Sequence, residues 1–143
     1  TGISVNNISN NKVPSAWKLY QCPIDPPAST ASMFSSRQVK FTSYVMNWGA
    51  VNYTRNKQQK LSRYKATDYL LWEANATTNA VNQYKDGAAN GNEGIGEQHG
   101  GKGATVGGMG GHVEFITYKK FYDQTAATEK NNVWITTDTA NGR

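Results

Sequence analysis

Cysteine is nearly absent from the 143 residues; Cys22 is the single one. An internal disulfide is thereby excluded. A cysteine-based metal site is not expected either, because such sites usually recruit several thiolates. Cys22 reads instead as a small buried hydrophobe. Long apolar runs are missing too. Clusters such as Tyr69-Leu70-Leu71-Trp72 fall far short of the roughly 18 residues of a membrane span. The opening Thr1-Gly2-Ile3-Ser4 has neither a charged start nor an apolar block, so a signal peptide is not expected there. Proline occurs four times, always within the first 27 residues. Cys22-Pro23-Ile24-Asp25-Pro26-Pro27 is therefore excluded from helix and from central strand, and is expected to form a pinned, extended surface loop. Acidic residues are scarce at the start: residues 1–65 hold only Asp25 against nine Lys and Arg, whereas residues 66–143 hold nine acidic and six basic residues.

Aromatics make up 11% of the chain, enough to set aside disorder, and the length suits one domain with one modest core. We expect a single α+β, β-leaning domain over 1–143: an irregular, loop-rich part over 1–36 and a sheet-forming part over 37–143. The expected architecture is one antiparallel sheet with a glycine-turned hairpin, a short C-terminal helix and long loops. Phe41 to Trp48 and Thr67 to Glu73 are rich in β-branched and aromatic types and predict strands. Residues 87–111 contain eleven of the fourteen glycines. The runs Ala104–Met109 and His112–Tyr118 flank Gly110-Gly111, which predicts a hairpin whose turn uses positive φ. Val113, Phe115 and Thr117 should face one side, and His112, Glu114 and Ile116 the other. Lys119 to Ala127 predicts a short helix with Phe121 and Tyr122 packing inward. Val133–Thr136 is a last short strand or extended tail.

Motifs for chemistry are few. Gly101-Lys102-Gly103 fails as a phosphate loop because Gly103 stands where Ser or Thr must reach the metal. No dinucleotide fingerprint fits the glycine cluster. His99 and His112, with Glu97 and Glu114 as further ligands, match no zinc spacing. Asp86, Asn90, Asn92, Glu93 and Glu97 offer oxygens in a glycine-punctuated loop, a composition suited to calcium although not spaced as an EF-hand. Calcium is the one cofactor the sequence suggests, the alternative being an uncommitted polar loop and no cofactor. Nothing pairs Glu73 with Glu97 as a glycosidase would need. The basic set Arg55, Lys57, Lys60, Arg63 and Lys65, interleaved with Tyr53 and Tyr64, accompanies no nucleic-acid module and reads as a solvated loop. The basic and acidic halves would also let identical copies attract head to tail. Asn7, Asn52 and Asn75 begin Asn-x-Ser/Thr triplets, which chance explains in so Asn-rich a chain.

Several segments, in order, resemble one family. They are Tyr20 to Asp25 with its Cys22-Pro23-x-Asp25, Ser43-Tyr44-x-Met46-Asn47, the strand ending Trp72-Glu73, and His99 followed by Gly110-Gly111-His112. This order is similar to that of type IV pilin-like and type II secretion pseudopilin-like proteins with a processing-associated C-terminal region. The likeness spans roughly residues 20–120. It departs where the family has Asp-Gly nine residues after the His; here ten residues intervene and the first member is Gly110. It departs also in lacking the family's N-terminal apolar helix.

The resemblance implies a globular head, pilin-like in fold, that works outside the cytoplasmic membrane by subunit assembly and reaches the membrane only through a missing or separate helix. Its partners would be copies of itself or a separate hydrophobic helical chain, not nucleic acid. Tyr44, Met46, Leu70, Trp72, Val113 and Phe115 are the expected docking face, the alternative being that they close on one another as an ordinary core; both can hold on opposite faces of the sheet. The competing expectation is an exported glycan-binding module using Trp17, Trp48 or Trp134. No enzyme is expected; one would need His99 or His112 in a pocket beside a carboxylate.

Overall fold

The computed structural model describes residues 20, 22–25, 42–51, 60–75 and 87–143. Most of the irregular part expected over 1–36 lies outside them, as do Trp17 and Asp86. Five strands form one sheet in the order β3-β1-β2-β4-β5. They are β1 (Tyr44–Asn47), β2 (Tyr69–Glu73), β3 (Ala88–Ala89), β4 (Gly103–Gly108) and β5 (Val113–Thr117). The α+β class holds, with one correction: the sheet is mixed. β1 pairs parallel with β3, while β1–β2, β2–β4 and β4–β5 are antiparallel. Two alanines carry no strand signal, so that parallel edge was not visible in the sequence.

Helix α1 (Trp48–Val51) is a single turn that ends β1 earlier than expected. Asn47 is the cause. Its carboxamide oxygen accepts the Gly49 N–H at 2.9 Å, turning the chain out of the strand. Its amide nitrogen donates to the Tyr69 and Val133 carbonyls, both at 2.9 Å. One buried side chain thus ties β1 to β2 and to the C-terminal segment. That segment, Val133 to Thr136, is buried but irregular; the Asn131 side-chain oxygen accepts the Val133 and Trp134 amides.

Helix α2 (Tyr118–Ala126) starts where the Thr117 hydroxyl accepts the Lys120 amide. It lays Phe121 on one face of the sheet, edge-on to Trp72 at 5.7 Å. Val45, Trp72, Val106, Ala104 and Ile116 complete that side of the core with Phe121 and Val133. Full burial of such side chains contributes roughly 1.5–3 kcal/mol each.

The β4–β5 hairpin is confirmed, but its turn is not a two-residue primed one. The Gly111 amide donates to Gly108 O and the Gly108 amide to His112 O. Gly111 alone adopts positive φ, +82°. That is a three-residue loop with a bulge glycine.

A register shift lies between Tyr69 and Leu71. Two residues advance on β2 while one advances on β4, so Leu70 is the extra residue of a β-bulge. Beyond it the alternation is reset. Val45, Trp72, Val106 and Glu114 are register partners on the helix-covered face. Met46, Leu71, Gly107 and Val113 form a row on the opposite face, beside a second row that holds Tyr44, Glu73, Thr105 and Phe115. Asn47→Ala, which removes three buried hydrogen bonds at once, should lower the unfolding free energy by about 2–4 kcal/mol. Urea denaturation followed by circular dichroism measures it; a loss below about 1 kcal/mol would show that Asn47 does not tie these segments.

Candidate functional site

On the sheet face opposite α2, three distant segments meet at Glu73. The side chain of Glu73 is fully buried. Its Oε2 accepts the Thr105 amide at 2.8 Å from the neighbouring strand. Its Oε1 lies 3.0 Å from His99 Nε2. His99 Nε2 is also 3.6 Å from Cys22 Sγ. The three donor atoms all lie within 4.8 Å of one another.

The sequence builds this meeting locally. Cys22 to Asp25 is a tight turn closed by the Asp25 amide on Cys22 O at 3.0 Å. Pro23 occupies its second position, where a fixed φ suits the turn. The turn is latched to the strand before it pairs: Ser43 Oγ accepts the Cys22 amide at 3.0 Å and donates to Asp25 Oδ2 at 2.7 Å. Over its described part, Cys22 to Asp25, the expected extended loop is a latched turn, while Pro26 and Pro27 lie outside the described residues; Cys22 is buried as expected.

His99 arrives on the glycine-rich loop. The Gly96 amide donates to Glu73 O at 2.7 Å, and a Cβ on Gly96 would stand 2.9 Å from Glu73 Cβ. Only glycine lets the loop pass so close. The Tyr118 hydroxyl holds the same loop through Gly96 O at 2.9 Å. A tight turn then places the His99 ring edge-on to Phe115, with centroids 5.5 Å apart. The His99 side chain remains 23% exposed, so the cluster opens to solvent on that side.

Burial pushes the Cys22 thiol above its ordinary value, and the adjacent Glu73 carboxyl adds to the effect. A thiol held protonated is a poor nucleophile. The geometry also argues against a relay. In a Cys–His–carboxylate relay the thiol and the acid engage different ring nitrogens, whereas here both face Nε2. What the arrangement offers is three unlike donors converging on one point.

No family model, curated protein or solved structure matches the chain.

The other expected residues fall elsewhere. Glu73, Cys22 and His99 come together; His112 does not join them. Its ring lies against Gly108, on the helix side of the sheet. Glu114 faces that side as well, accepting from the Tyr69 hydroxyl at 2.8 Å and from Lys120 Nζ at 3.3 Å. Gly110 and Gly111 serve the hairpin loop. Of the calcium-type loop, Asp86 lies outside the described residues. Asn90 and Glu93 form a capping box over the 3-10 turn Gly91–Glu93, Asn90 Oδ1 accepting the Asn92 amide and Glu93 Oε2 the Asn90 amide. Their side chains thus serve the turn, and Asn92 is exposed.

The docking residues divide. Met46, Val113 and Phe115 are exposed and Tyr44 is half-buried, all on the open face. Trp72 is a correction: it is fully buried against Phe121. Leu70 is another, since the bulge gives Leu71 the place on the open face. Trp48 is half-buried and Trp134 is buried beneath Arg143, whose guanidinium lies 4.5 Å from the ring centroid. Both line a pocket of about 220 Å³ with Asn92 and Arg143, but the indole face is already taken.

The Tyr69 hydroxyl holds the Glu114 carboxyl below its ordinary value of 4.5; burial opposes this, and Lys120 and His112 reinforce it. A depressed carboxylate contributes stability above its unfolded pKa and loses it as pH falls through the folded pKa. Urea midpoints of the native chain should thus drop between neutral pH and about pH 3, and Glu114→Gln should flatten part of that drop. Equal pH slopes in the two proteins would refute the assignment.

Proposed function

We propose that this chain is the globular domain of a subunit of a pilus- or pseudopilus-like filament, acting outside the cytoplasmic membrane by subunit–subunit assembly. The observation that carries the reading is the open sheet face. Val113 is 72% exposed, Phe115 51% and Met46 43%, and they lie on two adjacent register rows. An exposed apolar patch of this kind on a small sheet marks an interaction surface. Gly107 sits between Leu71 and Val113 in the first row. The Leu71 side chain leans over the Gly107 backbone, so the row presents a continuous apolar strip from Met46 through Leu71 to Val113 on which an apolar helix can lie.

The occupant that fits is an apolar α-helix of another filament subunit, whether a copy of this chain or a separate helical chain. Among the described residues no helix is long and apolar enough to cross a membrane. A helix seated along this strip would cover Met46, Val113 and Phe115 together. Covering the part of each that is still exposed contributes about 0.7–2 kcal/mol, a gain that accumulates across a multivalent array.

Val113→Asp should reduce assembly by at least about tenfold, while the fold changes by no more than about 0.5 kcal/mol at so exposed a position. Sedimentation velocity and negative-stain imaging of material assembled with a helical partner chain measure the first, and thermal unfolding the second. If V113D assembles as well as the native chain, the reading fails. If the native chain stays monomeric and is retained by a sugar array, glycan binding replaces it.

A further inference from the structure

We propose that Cys22, Glu73 and His99 form a binding site for a divalent transition metal of the zinc type, which clips the Cys22–Asp25 turn to the sheet. The site is independent of the filament reading.

Distances come first. An ion with sulfur at about 2.3 Å and nitrogen and oxygen at about 2.0–2.1 Å sets tetrahedral S···N and N···O edges of roughly 3.6 and 3.3 Å. The corresponding separations are 3.6 Å for Cys22 Sγ to His99 Nε2 and 3.0 Å for His99 Nε2 to Glu73 Oε1. A shift of a few tenths of an ångström in one side chain completes the edge. Both ligands face the same ring nitrogen, an arrangement that suits a shared ion and not a proton relay.

Charge comes second. The metal binds Cys22 as thiolate, releasing the thiol proton to solvent, and His99 as the neutral ring with its proton on Nδ1. Thiolate and carboxylate then offset the two positive charges of the ion. A neutral complex is what a largely buried position tolerates.

Orientation comes third. Each ligand is held from behind, as outer-shell contacts hold metal ligands elsewhere. Thr105 fixes the second oxygen of Glu73, Ser43 fixes the backbone of Cys22, and Phe115 packs on the His99 ring. Gln98, the residue before His99, supplies a separate observation. Its amide oxygen and nitrogen are both buried with no hydrogen-bond partner among the described residues, and the oxygen lies against Gly96, whose amide is bonded to Glu73. Buried polar atoms of this kind call for a partner.

The test uses the purified chain, stripped with a chelator and titrated with Co²⁺ as the spectroscopic probe and Zn²⁺ as competitor. One equivalent of Co²⁺ should bind with a thiolate-to-metal charge-transfer band in the near ultraviolet, displaced by Zn²⁺. Cys22→Ser should abolish the band, and His99→Ala should weaken binding more than about 100-fold. His112→Ala, on the other side of the sheet, should change nothing. V113D should keep the band even where it has lost assembly, which separates failure of this site from failure of the filament reading. Absence of saturable binding, or an unchanged band in C22S, overturns the proposal. Should the ligand variants fail to fold, the native chain decides. Alkylation of Cys22 should slow at least about tenfold with Zn²⁺ and recover with EDTA; an unchanged rate overturns the site.

Discussion

A carboxyl group with no solvent exposure sits in the middle of the sheet, and much of the molecule is arranged around it. Removing such a group from water costs several kcal/mol unless its oxygens are bonded. Glu73 gains the Thr105 amide from β4 on one oxygen and His99 on the other. Its backbone carbonyl draws in the Gly96 amide. The glycine-rich loop must therefore cross the open face closely, and the Cys22 turn is pressed beside it by Ser43. Strand pairing, loop path and latch all converge there.

This dependence explains how far the sequence could be read. β1, β2 and the β4–β5 hairpin follow from β-branched and aromatic runs bounded by glycine, and α2 was expected within one residue of its ends. These are local signals. The parallel edge at Ala88–Ala89 and the buried segment from Val133 to Thr136 have no periodicity; they are held by contacts such as that of Asn47 with Val133, 86 positions apart. The placing of Leu70 and Trp72 on one exposed face failed for a physical reason. Strict alternation assumes an unbroken register, and one extra residue at Leu70 reverses it.

The candidate site was legible only as an order of motifs. Cys22 and His99 are 77 residues apart and Glu73 and His99 are 26 apart, so no ligand spacing links them. Counting thiolates says nothing about the other donors that a fold can bring to a single thiol, and here it brings Glu73 and His99. The usable signal was the order itself: Cys22-Pro23-x-Asp25, the Ser before Tyr44, the Glu after Trp72 and His99 within the glycine-rich run. In the folded chain those groups touch in sequence: Asp25 to Ser43, Ser43 to Cys22, Cys22 to His99, and His99 to Glu73.

The open face and the cluster share a wall. Phe115 is half exposed to any docking partner on one side and packs edge-on against His99 on the other. Tyr44, paired across the strands with Glu73, stands in the same row. Anything laid along the strip formed by Met46, Leu71 and Val113 would therefore meet a neighbouring aromatic that the cluster helps to orient. The His99 contact restricts one side of the Phe115 ring, and a restricted aromatic loses less side-chain freedom when covered than a mobile one does. Polar contacts within the sheet thus help to set where an exposed aromatic stands on the same face.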